Sequence, residues 1–205
     1  MKKAMMTMAL LLAVLAASAQ DDLYMGSQDE NVKTEVGDIG SIQLTAGGSY
    51  ERQTVVEAAG ASASVLFERA MIALSDWTGP DGNARSGIDY QNAETHTVIY
   101  KGSYSLGFKG NVFGGWYRQA DFQLKVRCKD GRAQVTLTVP TITVQHSKNN
   151  VSQTNSVKKL LEEVEKAKGD RRKRGEAVVH DLVTTADALV AAMTQRLQDG
   201  SDDDF

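Results

Sequence analysis

A single thiol, Cys128, sits in "KVRCKDGR" with Arg127 on one side and Lys129 on the other. Flanking cations lower a thiol's pKa when they face it, and the thiolate is then a nucleophile or a redox group. Here the surrounding pattern turns them away. Ala120, Phe122, Leu124, Val126 and Cys128 alternate with Asp121, Gln123, Lys125 and Arg127, so the sulfur belongs with hydrocarbon on one face of a strand. An inert, buried thiol is the expectation. His96, His146 and His180 fall at a strand, in a linker and on a helix, and none has the spacing of a zinc motif. With Cys128 turned inward, no cysteine–histidine pair is expected either. Gly102, Gly107, Gly110, Gly114 and Gly115 form neither G-x-G-x-x-G nor a P-loop, and no helix follows to present its N-terminus to a phosphate. The expectation is a chain with no catalytic residue, no metal and no cofactor. One enzymatic alternative stays open: a hydrolase whose fold brings a carboxylate pair such as Asp81 and Asp89 to a histidine.

The elements that would position these groups are legible in several places. "RQTVVEA", 52–58, is a short β-branched run and predicts a strand. Leu66, Ala70, Ala73, Leu74 and Trp77 lie on one helical stripe, which Ser62 or Ser64 can cap. "GIDYQ" and "THTVIYKGSYSLGF" predict two strands separated by a polar corner at Asn92–Glu94, and "KGNVFGG" reads as a glycine-rich link. Asp130-Gly131 predicts a type I′ turn, with positive φ at both positions. That turn sets Lys129 opposite Arg132, Cys128 opposite Ala133, Val126 opposite Val135, Leu124 opposite Leu137 and Phe122 opposite Val139. A slip of one residue would turn the apolar set to water, so pattern and turn support the same register. Pro140, lacking an N–H, marks a strand end, a bulge or an edge. "HSKNNVSQTNS", 146–156, reads as a polar linker. Two helical stripes follow, Val157/Leu160/Leu161/Val164 and Val179 through Leu197, with the glycine-bounded charge run Asp170–Arg174 read as a solvated turn between them. The fold class is therefore α+β: strand, helix, four strands, then C-terminal helices packed on one face of an antiparallel sheet, the other face bare.

The chain opens "MKKAMMTMALLLAVLAASAQ", with paired lysines, a short apolar run and Ala17-Ser18-Ala19. This is the pattern of a cleaved signal peptide over 1–19, and no later segment resembles a membrane span. No cysteine stands near the cleavage site for lipidation. The expectation is a soluble exported product, periplasmic or extracellular and not a lipoprotein. Loss of Lys2 and Lys3 takes the balance from 23 basic against 26 acidic residues to 21 against 26, and the formal charge from −3 to −5. Nucleic-acid affinity comes mainly from basic residues meeting phosphates, so a nucleic-acid partner is not expected. One cysteine allows no internal disulfide, so burial alone must hold the domain.

"VVEAAGASASVLFERAMIALSDW" resembles the opening of the family catalogued as domain of unknown function 4468: a strand, a small-residue turn, then a helix with a Leu-Phe-x-Arg-Ala pattern, here Leu66 to Ala70. "VIYKGSYSLGF" and "FQLKVRCKDGRAQVTLT" are similar to its later strands and its Lys-Asp-Gly-Arg hairpin. The likeness covers roughly residues 52–145, about half of the chain. It implies a TBP-like fold and an exported protein of Gram-negative bacteria, and it supplies no catalytic residues; fold does not imply function. The organisation so read is a signal peptide at 1–19, an N-terminal arm at 20–50 with a short strand at Ser41–Leu44, a TBP-like domain at 51–147, C-terminal helices at 148–200 and an acidic tail at 201–205.

What remains for function is surface. Gln123, Lys125, Arg127, Gln134, Thr136 and Thr138 would share the bare sheet face as a polar, mildly basic patch, and Phe113 and Trp116 would present aromatic rings from the link beside it. The expected activity is binding of an envelope protein or polymer, through this face or the C-terminal helices.

Overall fold

The computed structural model describes residues 42, 44–76, 86–111, 114–147 and 151–199, with side chains at 107–111 and 114 excepted. The expectations at 1–19, most of the 20–50 arm, Trp77, Asp81, Phe113 and the 201–205 tail lie outside the described residues. Strands β1 (Tyr50–Glu57), β2 (Gly87–Asn92), β3 (Thr97–Asn111), β4 (Gly114–Lys129), β5 (Arg132–His146) and β6 (Ser152–Ser156) form one antiparallel sheet. The order is β1-β5-β4-β3-β2, with β6 also on β5. Helix α1 (Ala63–Ser75) packs mainly on β4 and β3, and α3 (Gly169–Asp199) on β1 and β5; α2 (Val157–Lys166) joins them beside β5 and β6. The architecture is α+β with helices on one face, as expected; of the expected short N-terminal strand, only an isolated bridge from Leu44 to Tyr50 is described.

The alternation of the opening stretch sorts the sheet into two faces. Leu124, Val126, Cys128, Ala133, Val135 and Leu137 are buried, facing Leu66, Ala70 and Leu74 of α1 and the apolar stripe of α3. Each fully buried leucine of this kind contributes about 1.5–3 kcal/mol of transfer free energy. Phe122 lies across the chain from Gly102, where an added Cβ would come within 3.0 Å of its ring. Tyr100 stacks on the same ring at a centroid distance of 6.0 Å and Tyr104 tilts against it at 5.6 Å.

The hairpin register holds from Lys129–Arg132 to Gln123–Thr138, but the turn itself differs from expectation. Gly131 has φ +74°, whereas Asp130 is not in the left-handed region, so the turn is not type I′. Contacts outside the hairpin explain why. Asp130 Oδ1 accepts from the N–H of Ala63 at 2.8 Å, satisfying a first-turn donor of α1. Gly131 donates to the Ala61 carbonyl and accepts from the Ala58 N–H, both at 2.8 Å. The turn is thus built onto the β1–α1 connection. Ser62, the N-cap, accepts from Val65 N–H at 3.3 Å. Asp130→Ala should lower stability by about 1 kcal/mol, read as a shifted urea midpoint at unchanged slope. Asp130→Asn keeps the acceptor and should recover most of it; equal losses in both variants would contradict this role.

Four further expectations are corrected. Phe122 does not face Val139: Gln123 pairs Thr138 and Asp121 pairs Thr141, leaving Val139 and Pro140 opposite one residue. This is a β-bulge, placed where proline has no N–H to give the ladder. The "KGNVFGG" link is mostly strand, since β3 runs to Asn111 and β4 starts at Gly114. Part of the 146–156 linker is β6, whose backbone pairs with Thr141–Gln145 while Thr143 and Thr154 share a hydroxyl hydrogen bond of 2.9 Å. Finally, Asp170–Arg174 is not a turn but the first turns of α3. A Cβ at Gly175 would overlap Val164 of α2, so this glycine marks the close crossing of two helices and not a break. Arg172 and Glu176 form an i,i+4 ion pair at 2.8 Å, and Asp170 sits favourably at the positive end of the helix dipole.

α3 is long and apolar enough, by length and composition, to cross a membrane. In this fold Val178, Val179, Leu182, Ala186, Leu189, Val190, Met193 and Leu197 are buried within the protein.

Candidate functional site

Opposite the helices, the sheet presents cross-strand rows in which polar and charged side chains are interleaved with Val55, Ile99 and Tyr90. One row runs Gln53, Thr136, Lys125, Ile99 and Tyr90; the next runs Val55, Gln134, Arg127, Thr97 and Asn92. Gln123, Lys125, Gln134 and Thr136 are half-buried among their neighbours, and Arg127 is exposed. Thr138, half-buried opposite Gln123, completes the set, so all six predicted sheet-face residues lie together. The order within the face comes from the strands: period-2 alternation sets the direction, and the Asp130-Gly131 turn sets which residues meet.

The charges are unevenly placed. Lys125, Arg127 and Lys129 alternate along β4, and Arg132 stands directly across from Lys129. Among the described residues, no carboxylate lies within ion-pair distance of any of these four. Glu57 stands across from Arg132 in the β1–β5 ladder without forming an ion pair, and other nearby carboxylates are engaged elsewhere. Asp89 pairs Lys101 at 2.9 Å, Asp121 accepts from the Thr141 hydroxyl at 3.1 Å, and Asp130 caps α1. Like charges directly opposite on paired strands are destabilising, so Lys129 and Arg132 are a local cost that the fold retains. These two residues complete the patch, and sequence reasoning left them out of it. The signal was available, because the predicted register already set them face to face.

Trp116 falls elsewhere. It lies in β4, in register with Ala120, on the helix-bearing side; it is 42% exposed and packs edge-on against His146 at 4.6 Å. Phe113 lies outside the described residues, so the two aromatics are not shown to join the patch.

Cys128 is 4% exposed on the underside of this face, and burial pushes its thiol up to about 11. Its charged neighbours do not activate it. His96 shares a hydrogen bond of 3.1 Å with Ser64 Oγ and packs edge-on against Phe67. That pairing ties the β2–β3 turn to α1, and no carboxylate among the described residues is hydrogen-bonded to the imidazole to orient it. His180 stands 3.7 Å from Asp181 on α3. No group of three metal-ligating side chains occurs among the described residues. Of the carboxylates considered for a hydrolase, Asp89 is tied to Lys101 and Asp81 lies outside the described residues. Two shallow grooves flank the end of α3. One, of about 480 Å³, holds the Arg52–Asp187 contact at 2.8 Å, an ion pair without a well-aligned hydrogen bond. Half-exposed pairs of this kind contribute about 0–1 kcal/mol.

Sheet, helices and hairpin together have counterparts among known proteins. Residues 53–143 match the family described as Domain of unknown function (DUF4468) with TBP-like fold. A crystal structure of a DUF4468 family protein from Bacteroides ovatus superposes with a TM-score of 0.61 at 14% identity, covering 80% of this chain and 94% of that one. A TBP-like protein from Parabacteroides distasonis gives a TM-score of 0.58 at 12% identity, covering 78% and 99% respectively. At such identities the likeness is one of fold, and the DUF4468 description assigns no activity. No curated protein matches the sequence significantly.

Proposed function

We propose that this chain is a non-enzymatic, exported binding module whose open sheet face captures an anionic polysaccharide of the cell envelope. The observation that carries the reading is the stripe Lys125–Arg127–Lys129–Arg132, none of whose members forms an ion pair among the described residues although Glu57 stands across from Arg132, with threonine and glutamine side chains in the adjoining rows. Cations without protein partners lose little by meeting acidic groups of a ligand, and they steer its approach. Hydroxyl and amide side chains at cross-strand spacing can both donate to and accept from sugar hydroxyls. Tyr90 and Tyr117, each about half exposed, offer ring surfaces for stacking. Export rests on the N-terminal signal pattern, and the absence of a nucleic-acid partner on the chain's net acidity.

The test uses the chain from Gln20 onward and polygalacturonate as probe, with neutral dextran as control. Alanine at Lys125, Arg127 and Gln134 together should weaken polygalacturonate binding by roughly tenfold or more, since two solvent-reachable charges each contribute up to about 1 kcal/mol. Stability should change by less than about 0.5 kcal/mol per site. Binding should also fade towards about 0.5 M salt. Equal binding by variant and parent, or equal binding of dextran, rules the polysaccharide reading out; capture of an acidic protein instead would replace it.

A further inference from the structure

Along Gln53–Glu57, strand β1 has β5 as its only strand partner among the described residues, so its outer edge is open there. Ala58 donates its N–H to Gly131 at 2.8 Å, toward β5, and the ladder back to Tyr50 has no register shift. Amide direction alternates along a strand, so the N–H and C=O groups of Gln53, Val55 and Glu57 point away from β5. Leu44 bridges Tyr50 on that same edge and bounds the free stretch at one end; the β1–α1 connection bounds it at the other. Above this edge runs α3. Asp187 meets Arg52 at 2.8 Å, and further along the helix Gln198 shares a groove with Glu57. From Asp187 to Gln198 the helix rises roughly 16 Å, as does the strand from Arg52 to Glu57, so the two run side by side in the same direction. On its helix side the groove is lined by Ala191, Thr194, Gln195 and Gln198, none of them charged.

We propose that the occupant of this edge is a second copy of the chain, paired antiparallel about a two-fold axis through Val55. That register is self-complementary. Val55 meets its own counterpart, and Gln53 of each copy meets Glu57 of the other, offering an amide to each carboxylate. Glu57 keeps Arg132 across from it on β5. Val55, 52% exposed at the rim of the open face, becomes covered. An axis through Thr54 would instead set Glu51 against Glu57 at both ends, like charges directly opposite. The helices fit the same axis. α3 packs over β1 and β5, so a strand junction of about 4.8 Å brings its two copies to roughly 10 Å. That is a helix-packing distance, and small side chains such as Ala191 and Thr194 permit it. The dimer would join two open faces into one sheet, with the Lys125–Arg127 stripes roughly 24 Å apart, so that one long polyanion engages both. The pairing itself does not depend on what that face binds.

Sedimentation velocity on the chain from Gln20 to Phe205 tests it. The weight-average mass should rise from one chain at about 1 μM to nearly two at about 200 μM. Val55→Lys sets two ammonium groups face to face on the axis and should weaken association roughly tenfold or more. Its urea midpoint should match the parent's, since position 55 is exposed. Ala191→Arg, on the helix and outside the ladder, should weaken association as well. Val55→Cys should give a disulfide-linked dimer under mild oxidation, because facing Cα atoms in such a pair lie about 5.5 Å apart. Ile72→Cys, at an exposed position on α1, should stay monomeric under the same treatment, and the native Cys128 is buried. A parent chain that remains monomeric at about 200 μM overturns the inference. A dimer that both Val55→Lys and Ala191→Arg leave intact overturns it too, because another surface then holds the copies together. If the chain is monomeric yet binds polygalacturonate, the dimer falls and the polysaccharide reading stands; if it dimerises as described and binds no polymer, the reverse holds.

Discussion

Leu182→Ala should lower the unfolding free energy by about 2–5 kcal/mol, a large share of the 5–15 kcal/mol that domains of this kind possess. Leu182 is 0% exposed and belongs to the stripe by which α3 covers the sheet. Its carbonyl accepts from the Tyr104 hydroxyl at 3.4 Å, and that bond survives a side-chain truncation. What is lost is hydrocarbon between helix and strands, together with the contacts of the cavity left behind. Helices shorter than a dozen or so residues are marginal alone, and even the long α3 carries a charged first third that packing must hold down. An unfolding free energy, from urea titration, within about 0.5 kcal/mol of the parent would show that α3 is not part of the cooperative unit.

Alkaline conditions should produce the second large effect. Burial raises the Cys128 thiol from an ordinary 9.0 to about 11, so the folded chain holds this proton more tightly than the unfolded chain does. Stability is then whole below about pH 9 and falls as pH climbs towards 11, by up to about 3 kcal/mol. Tyr50, Tyr100 and Tyr104 act in the same direction, each raised chiefly by burial. Cys128→Ala isolates the sulfur. Between about pH 8 and pH 10.5, parent stability should fall by about 2 kcal/mol more than that of Cys128→Ala. Parallel curves for the two proteins would mean that the thiol is reached by water.

The sequence was most readable where two local signals coincided. Alternation and a two-residue turn together specify the pairing from Lys129–Arg132 to Gln123–Thr138, and with it the burial of Cys128. The same logic assembled the sheet-face patch of Lys125, Arg127 and Gln134. It failed where a distant partner decides the geometry. Asp130 looks like half of a type I′ turn, yet its carboxylate is taken by Ala63, 67 positions away. Gly175 reads as a helix breaker in isolation; only the presence of Val164 from α2 shows why a missing side chain is needed inside a helix. β6 carries no apolar alternation at all, because it is exposed and held by its backbone pairing with β5. A pattern of side chains cannot announce a strand that exists for its amides. The open sheet face is legible as a surface but not as a recognition site: three of its cations alternate along β4, as in any half-exposed strand, and Arg132 joins them only through the pairing with β5.

The bulge at Val139–Pro140 divides one edge of β5 between two neighbours: β1 pairs up to Val139 and β6 begins at Thr141. During folding, β1 is the strand that must wait. Its partner β5 lies beyond α1 and strands β2 to β4, so its ladder closes the widest loop in the sheet, whereas β6 reaches β5 through a short connection. Such long-range closure is entropically slow and comes after local hairpins have formed. Until it arrives, half of β5 is an unpaired edge open to other chains, and that segment directly follows the turn whose Asp130 accepts from the first turn of α1.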